Sequence, residues 1–394
     1  MRRISINHAQ PGMVLGKTIH GYNYEVLLSK GVILTEDYIN KLKRKGFIKI
    51  YIDDEETAEI VINDPISDKI RVMATNDILK TYKVTETLLV NIAVDSAKSI
   101  IESINAPKFK ATFQESPAFQ QLCKDINSFI DELMNQEVLS GLNSIKSFDN
   151  YTYEHSIDTA ILSLIIAKKL TLDREKLRQI AIGVFLHDIG KIFIDEKIIN
   201  KPDKLTADEY ERVKQHTTYG YELLKGVENI GIAATHIPYQ HHERQDGKGY
   251  PRGLIGSNKL SFGAIAYTDK DKMVMIAEVA ALADFYDACI SDRPYRPGLP
   301  PDLVYELIKD GAGSQFNKEL IERFMSVVPK YPIGSEVRVK NGKYKDFTGV
   351  VLSLNTQQLS KPKVKLLCDT KKNKIDPVEV DLSSHDSCDI ECVC

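Results

Sequence analysis

The sequence has no apolar run approaching the ~20 residues needed to cross a bilayer. Its first residues, Met1-Arg2-Arg3-Ile4-Ser5, lack the apolar stretch of a signal peptide. A cytoplasmic chain is therefore expected. It also lacks a strong charge of either sign: 52 Lys and Arg against 55 Asp and Glu leave a net charge of -3. No broad basic field draws it to nucleic acid or to an acidic membrane surface, so neither DNA nor membrane is an expected partner. Cysteines are few, six in 394 residues, and none falls in a standard zinc spacing. Cys388, Cys392 and Cys394, near His385, read as incidental thiols on a mobile C-terminal tail. There is no internal repeat, no low-complexity tract, and no haem, flavin or receiver signature.

At this length the chain can hold two or three domains and a sizeable core. The expected fold class is multi-domain and mainly α. Residues 1–60 read as a small β-rich unit within an α+β N-terminal region, with Met13-Val14-Leu15 and Val26-Leu27-Leu28 as short strands and a helix from Tyr38 to Lys45. Residues 61–147 turn helical and are expected to be regulatory or linking, and to offer a homodimer surface. Residues 148–328 form an all-α helical bundle. Ile157, Ile161, Leu164 and Ile165 make one stripe, and Leu177, Ile180, Ala181, Val184 and Phe185 the next. Thr206 with Glu209 three residues on matches a capping box. Residues 329–394 switch to alternating strands and predict a small β-rich domain ending in the Cys-containing tail.

The bundle carries the chemistry. His155, His187 and His216 fall on faces that should point inward, and His241-His242 and Asp284 join them. Burying so many imidazoles and carboxylates costs several kcal/mol unless each is satisfied. A metal centre satisfies them together, and nitrogen and oxygen donors without thiolate suit first-row transition metals. The donors exceed what one ion uses, so a two-metal centre bridged by Asp188 is expected, of the kind that acts on phosphate esters. Asp246 and Asp287 fit either supporting or turn-forming roles. Lys191, one helical turn past the His-Asp pair, and Arg293 and Arg296 are candidate phosphate contacts. Gly247 and Gly249 define a sharp loop that lets a substrate approach the backbone, and Tyr250 can stack on a base or donate to phosphate.

His187-Asp188-Ile189-Gly190-Lys191, the run from His241-His242-Glu243 to Gly249-Tyr250-Pro251, and the segment from Asp284 to Arg296 together resemble the HD-GYP family of HD-domain metal phosphohydrolases. Gly313-Ser314-Gln315-Phe316-Asn317 is similar to the run that ends such domains. The resemblance covers about residues 148–328. It implies a five-helix HD-type core, two or three Fe or Mn ions, and hydrolysis of cyclic di-GMP to pGpG, with further hydrolysis to GMP left open. By position, His155, His187, Asp188 and Asp284 would hold one ion, and Asp188, His216, His241 and His242 the other. Catalysis would rest on Asp188 and Lys191. Lys191, Gly249, Tyr250, Pro251, Arg293 and Arg296 would contact substrate. A cyclic-dinucleotide sensor with little turnover, or a hydrolase of another cyclic dinucleotide or nucleotide, is the alternative.

The chain departs from the family pattern in two places. Tyr151 stands where some members place a Glu for a third metal, leaving Asp158 as the nearby carboxylate, so two ions are expected. Residues 258–272 form a longer polar insertion between two site-forming segments, either a flap or an inert loop.

Overall fold

The computed structural model describes residues 1–21, 25–89, 97–139, 151–201, 203–261, 272–292, 297–384 and 388–393. The N-terminal unit comprises β1 (Arg2–Ser5), β2 (Val14–Leu15), β3 (Ile19–His20), β4 (Val26–Leu28), α1 (Glu36–Arg44) and β5 (Lys49–Asp53). One antiparallel sheet has the order β1-β5-β2, and β3 pairs with β4. Ile39 and Leu42, on one face of α1, pack with Ile50 and Ile52 of β5 into a small separate core.

Four helices follow: α2 (Asp68–Leu89), α3 (Ala97–Ile104), α4 (Pro107–Glu115) and α5 (Pro117–Leu133). Pro107 and Pro117 each open a helix, where a missing amide hydrogen costs nothing. Next come α6 (Tyr151–Lys169), α7 (Arg174–Phe185), a 3-10 turn (Ile189–Phe193), α8 (Glu196–Ile199), α9 (Ala207–Leu224), α10 (Ile232–Gln240) and α11 (Met275–Ile290). The capping box at Thr206 and Glu209 is present in full and starts α9 one residue later. α12 (Pro301–Asp310) and α13 (Lys318–Met325) close the helical part. A single apolar core runs from Ile66 to Val328, so α2 and α5 pack into the same interior as α6, α7 and α11.

β6 (Glu336–Val339), β7 (Thr348–Ser353), β8 (Lys363–Cys368), β9 (Lys374–Asp381) and β10 (Ile390–Cys392) form one antiparallel sheet of order β10-β6-β7-β8-β9. This corrects the expectation of a mobile tail. Ile390 to Cys392 pair with Val339 to Val337, and Cys388 and Cys392 pack against the sheet's core. His385 and Cys394 lie outside the described residues. The pairing partner is some fifty residues away, beyond the reach of a local spacing argument. No described helix is long and apolar enough to cross a membrane.

One glycine sets how closely two site-bearing elements approach. A Cβ at Gly190 would stand 1.9 Å from the His216 carbonyl oxygen and 2.6 Å from the Gly220 nitrogen. The turn after His187-Asp188 therefore lies directly on the backbone of α9, at the residue that carries His216. Gly190→Ala should force the two apart and cost about 3 kcal/mol or more, seen as a lower urea midpoint. An unchanged midpoint would mean that the close approach contributes little to the fold.

Candidate active site

Six elements deliver the predicted side chains to one place. α6 supplies His155. The end of α7 and the turn after it supply His187 and Asp188. α9 supplies His216, the end of α10 supplies His241 and His242, and α11 supplies Asp284. Two groups of possible metal-ligand atoms result, His155, His187 and Asp188 in one and His216, His241 and His242 in the other, with the atoms of each group within 4.8 Å of one another. All six are buried except His242, which is partly so.

The hydrogen bonds of these imidazoles fix their tautomers. Nδ1 of His187 donates to the Val184 carbonyl at 2.7 Å, that of His216 to Val213 at 2.6 Å, and that of His241 to Ile237 and Pro238, both at 3.0 Å. Each Nε2 is then a bare lone pair turned inward. His187 Nε2 and Asp188 Oδ1 are buried without any hydrogen-bond partner. Nε2 of His216 and of His241 face each other at 3.4 Å and lie 3.5 Å and 4.0 Å from Asp188 Oδ1. Two lone pairs and a carboxylate oxygen facing one another repel unless a cation lies between them. Nitrogens each about 2.1 Å from one ion stand about 3 to 3.4 Å apart. The donor set therefore fits a metal, and nothing else among the described residues satisfies it.

Burial also keeps His216, His241 and His242 neutral, the form that binds metal. It pushes His216 and His242 down to about 3 and holds His241 well below its ordinary value. Burial opposes the charge on Asp188, but Lys191 Nζ, 2.5 Å from its Oδ2, together with His187, His216 and His241 outweighs this and holds the carboxyl far below its usual range. His155 Nε2 lies 3.0 Å from Asp284 Oδ1, and Nδ1 of the same ring lies 2.6 Å from Asp287 Oδ2. Asp287 thus orients His155. Asp246, by contrast, braces the loop by receiving two bonds from Arg244 at 3.0 and 2.8 Å.

The cluster opens into a cleft of about 1420 Å³. Its wall includes His155, Asp188, Lys191, His241, His242, Gly249, Tyr250 and Asp284, with His187 and His216 deeper. The Tyr250 ring stacks on His242 at 4.7 Å, and burial raises its hydroxyl far above the ordinary phenol value, so it stays protonated. A Cβ on Gly249 would meet the backbone of His242, Glu243 and Arg244 at 2.5 Å. Glu243 pins the far side of this loop by accepting from Arg252 and Leu254 amides at 2.7 and 2.9 Å. Pro251 stands between Tyr250 and that pinned turn. Arg293 and Arg296 lie outside the described residues, as do residues 262–271 of the insertion. The foot of the insertion is tied down: Asn258 N donates to Gln245 at 3.0 Å and Leu260 N to Glu319 at 2.9 Å.

Two supports escaped the sequence reading. Glu278 accepts from Gln245 Nε2 at 2.7 Å and Asn317 Nδ2 at 3.1 Å, and burial pushes it up to about 7. It joins the loop after His242 and the Gly313–Asn317 run to the helix of Asp284. A lone acid inside the apolar stretch of α11 was the available signal. Arg71 of α2 donates to Glu154 at 2.8 Å and to Asp158 at 2.9 Å, on either side of His155. No local pattern marks it. Its bond engages Asp158, the carboxylate one turn after His155. The Tyr151 side chain lies outside the described residues.

Fold and site together describe a helical bundle with a buried nitrogen and oxygen donor cluster, a class suited to metal-dependent hydrolysis. Residues 132–265 match the family model described as HD domain. The chain is 31% identical over 248 residues to a cyclic di-GMP phosphodiesterase of Pseudomonas aeruginosa, covering 63% of this chain and 55% of that one. It is 28% identical over 298 residues to a cyclic di-GMP phosphodiesterase of Thermotoga maritima, covering 74% of each. A 3'3'-cGAMP-specific phosphodiesterase of Vibrio cholerae is 31% identical over 172 residues, 43% of this chain and 34% of the relative. The chain thus spans about half the length of the first of these relatives.

The depressed imidazoles predict a signature in stability. Between pH 6.5 and about 3 the unfolded chain binds protons that native His216 and His242 refuse, so each lowers stability as the pH falls, by up to about 1.4 kcal/mol per unit. Glu278 and Asp77, both pushed up to about 7 by burial, pull the opposite way. The test is therefore a difference. In chelator-treated protein, His242→Gln should lose about 2 kcal/mol less than the parent between pH 6.5 and 5 in urea titrations. Parallel losses would show that His242 is not held neutral.

Proposed function

We propose that this chain is a metal-dependent phosphodiesterase that opens cyclic di-GMP to the linear dinucleotide pGpG. The observation that carries the reading is the convergence of the His216 and His241 Nε2 lone pairs on the unpartnered Oδ1 of Asp188, with the bare Nε2 of His187 3.5 Å from its Oδ2, at the wall of a large cleft. His155, His187, Asp188 and Asp284 would hold one transition-metal ion and Asp188, His216, His241 and His242 a second, with iron or manganese the choice that these donors favour. When bound, such a pair supplies an activated water and neutralises charge on the phosphoryl group.

The protein's own groups do the rest. Lys191, on the cleft wall beside Asp188, donates to a non-bridging phosphate oxygen and stabilises its growing charge. Gly249, folded back on the residues after His241, lines the cleft, and the protonated Tyr250 hydroxyl is a second donor. Asp287 and the Nδ1 carbonyl partners hold the rings in register. With Asp158 engaged by Arg71, the reading is two ions and pGpG as the main product. Relatives named as cyclic di-GMP phosphodiesterases support this substrate. The cGAMP-specific relative favours a second reading, in which a mixed cyclic dinucleotide is cleaved by the same centre.

Anaerobically purified protein should contain two ions per chain and hydrolyse cyclic di-GMP. Asp188→Ala should abolish turnover and strip bound metal, because it serves both ions. A loss under tenfold with full metal content would overturn the shared-ligand assignment. Lys191→Ala should keep its metal and lose roughly ten- to a hundredfold in kcat/KM, the value of one charge-assisted contact. Parent-like kinetics would remove Lys191 from the phosphate site.

A further inference from the structure

We propose that the arm of the cleft built by α8 and the start of α9 is a guanine-reading subsite, in which Glu196 and Asn200 hydrogen-bond the edge of the base and Tyr210 covers its face. The proposal rests on the cyclic-dinucleotide reading above and extends it to what selects the base. Glu196, Ile199, Asn200 and Tyr210 all line the cleft. None of the four is used by the donor cluster or by the fold's core. Ile199 is 37% and Tyr210 48% exposed. An aliphatic and an aromatic side chain left open inside a polar cleft are surfaces for a flat apolar ligand.

The polar pair beside them has a defined pattern. Glu196 and Asn200 stand four apart, and Asn200 Nδ2 donates to Glu196 Oε1 at 3.3 Å, which sets the amide and the carboxylate side by side. The pairing edge of guanine offers two adjacent donors, N1–H and the 2-amino group, next to one acceptor, O6. A carboxylate accepts both donors, and a neighbouring amide hydrogen meets O6. Adenine presents a bare N1 and no 2-amino group, so the same carboxylate faces a lone pair. That contact rejects adenine as well as favouring guanine.

The arm also sits at the right remove from the chemistry. Tyr250 stacks on His242 at 4.7 Å, and Tyr210 lies 6.3 Å beyond it, so the Tyr210 ring is within about 11 Å of a proposed ligand. Lys214 Nζ lies 5.4 Å from the Tyr210 ring centre and 5.7 Å from that of Tyr250, fixing both rings by cation–π attraction. A base reaching out from a phosphate at the centre would meet Tyr210, with Glu196 on the same cleft wall.

The test measures binding, so that it does not depend on turnover. Hydrolysis-resistant phosphorothioate forms of cyclic di-GMP and cyclic di-AMP would be titrated into the full chain by calorimetry. The parent should prefer the guanine ligand, and Glu196→Gln should reduce that preference at least tenfold, chiefly by weakening the guanine ligand. Tyr210→Ala should weaken both ligands about equally, since stacking ignores the base edge. An undiminished preference in Glu196→Gln would overturn the subsite. Intact, Glu196-dependent preference in a protein with no hydrolytic activity would uphold the subsite and overturn only the hydrolase reading. Failure of both ligands to bind would overturn both readings.

Discussion

Everything at the centre of this protein depends on one buried carboxylate. Asp188 lies among imidazoles whose tautomers are fixed from behind by backbone carbonyls, so that their free nitrogens face it and each other. In water such an arrangement would dissolve into hydration. Buried as these groups are, lone pairs at 3.4 to 4.0 Å repel unless positive charge is supplied. Lys191 supplies part of it on one oxygen of Asp188 and leaves the other bare. The fold thus builds a site for cations by leaving their partners unsatisfied.

Holding that arrangement requires backbone approach as much as side chains. Gly190 lets the turn bearing Asp188 lie on the helix bearing His216, and Gly249 folds the loop of Tyr250 back onto the residues after His241. Glu243 and Glu278 tie that loop at two further points, one through amides and one through Gln245. Arg71 reaches in from α2 to clasp α6 on both sides of His155. The helices before the HD domain therefore share its core and touch the element that carries a candidate ligand, a physical route by which the N-terminal region can influence the site.

Much of this was legible in the chain, and the reason differs by element. Helix ends that depend on neighbours three or four residues away, such as Thr206 with Glu209, were readable because caps are local. The ligand types and the glycines of the two motifs were readable because metal chemistry and close backbone approach restrict residue choice. Asp287, Asp246 and Asp158 were not resolved by spacing. Each lies near the motifs, yet one orients His155, one braces a loop and one is taken by an arginine 87 residues away.

By itself, the sequence determined that nitrogen and oxygen donors, a lysine and a sharp glycine loop would be present in a helical bundle, since these follow from residue type and short-range periodicity. Tertiary structure decided which lone pair faces which oxygen, which acids are spent on Arg71 and Glu278's partners, and that Ile390–Cys392 is a strand. Those outcomes join residues far apart in the chain, 132 positions in the case of His155 and Asp287. Only packing of the whole core sets such distances, because no local propensity acts across that separation.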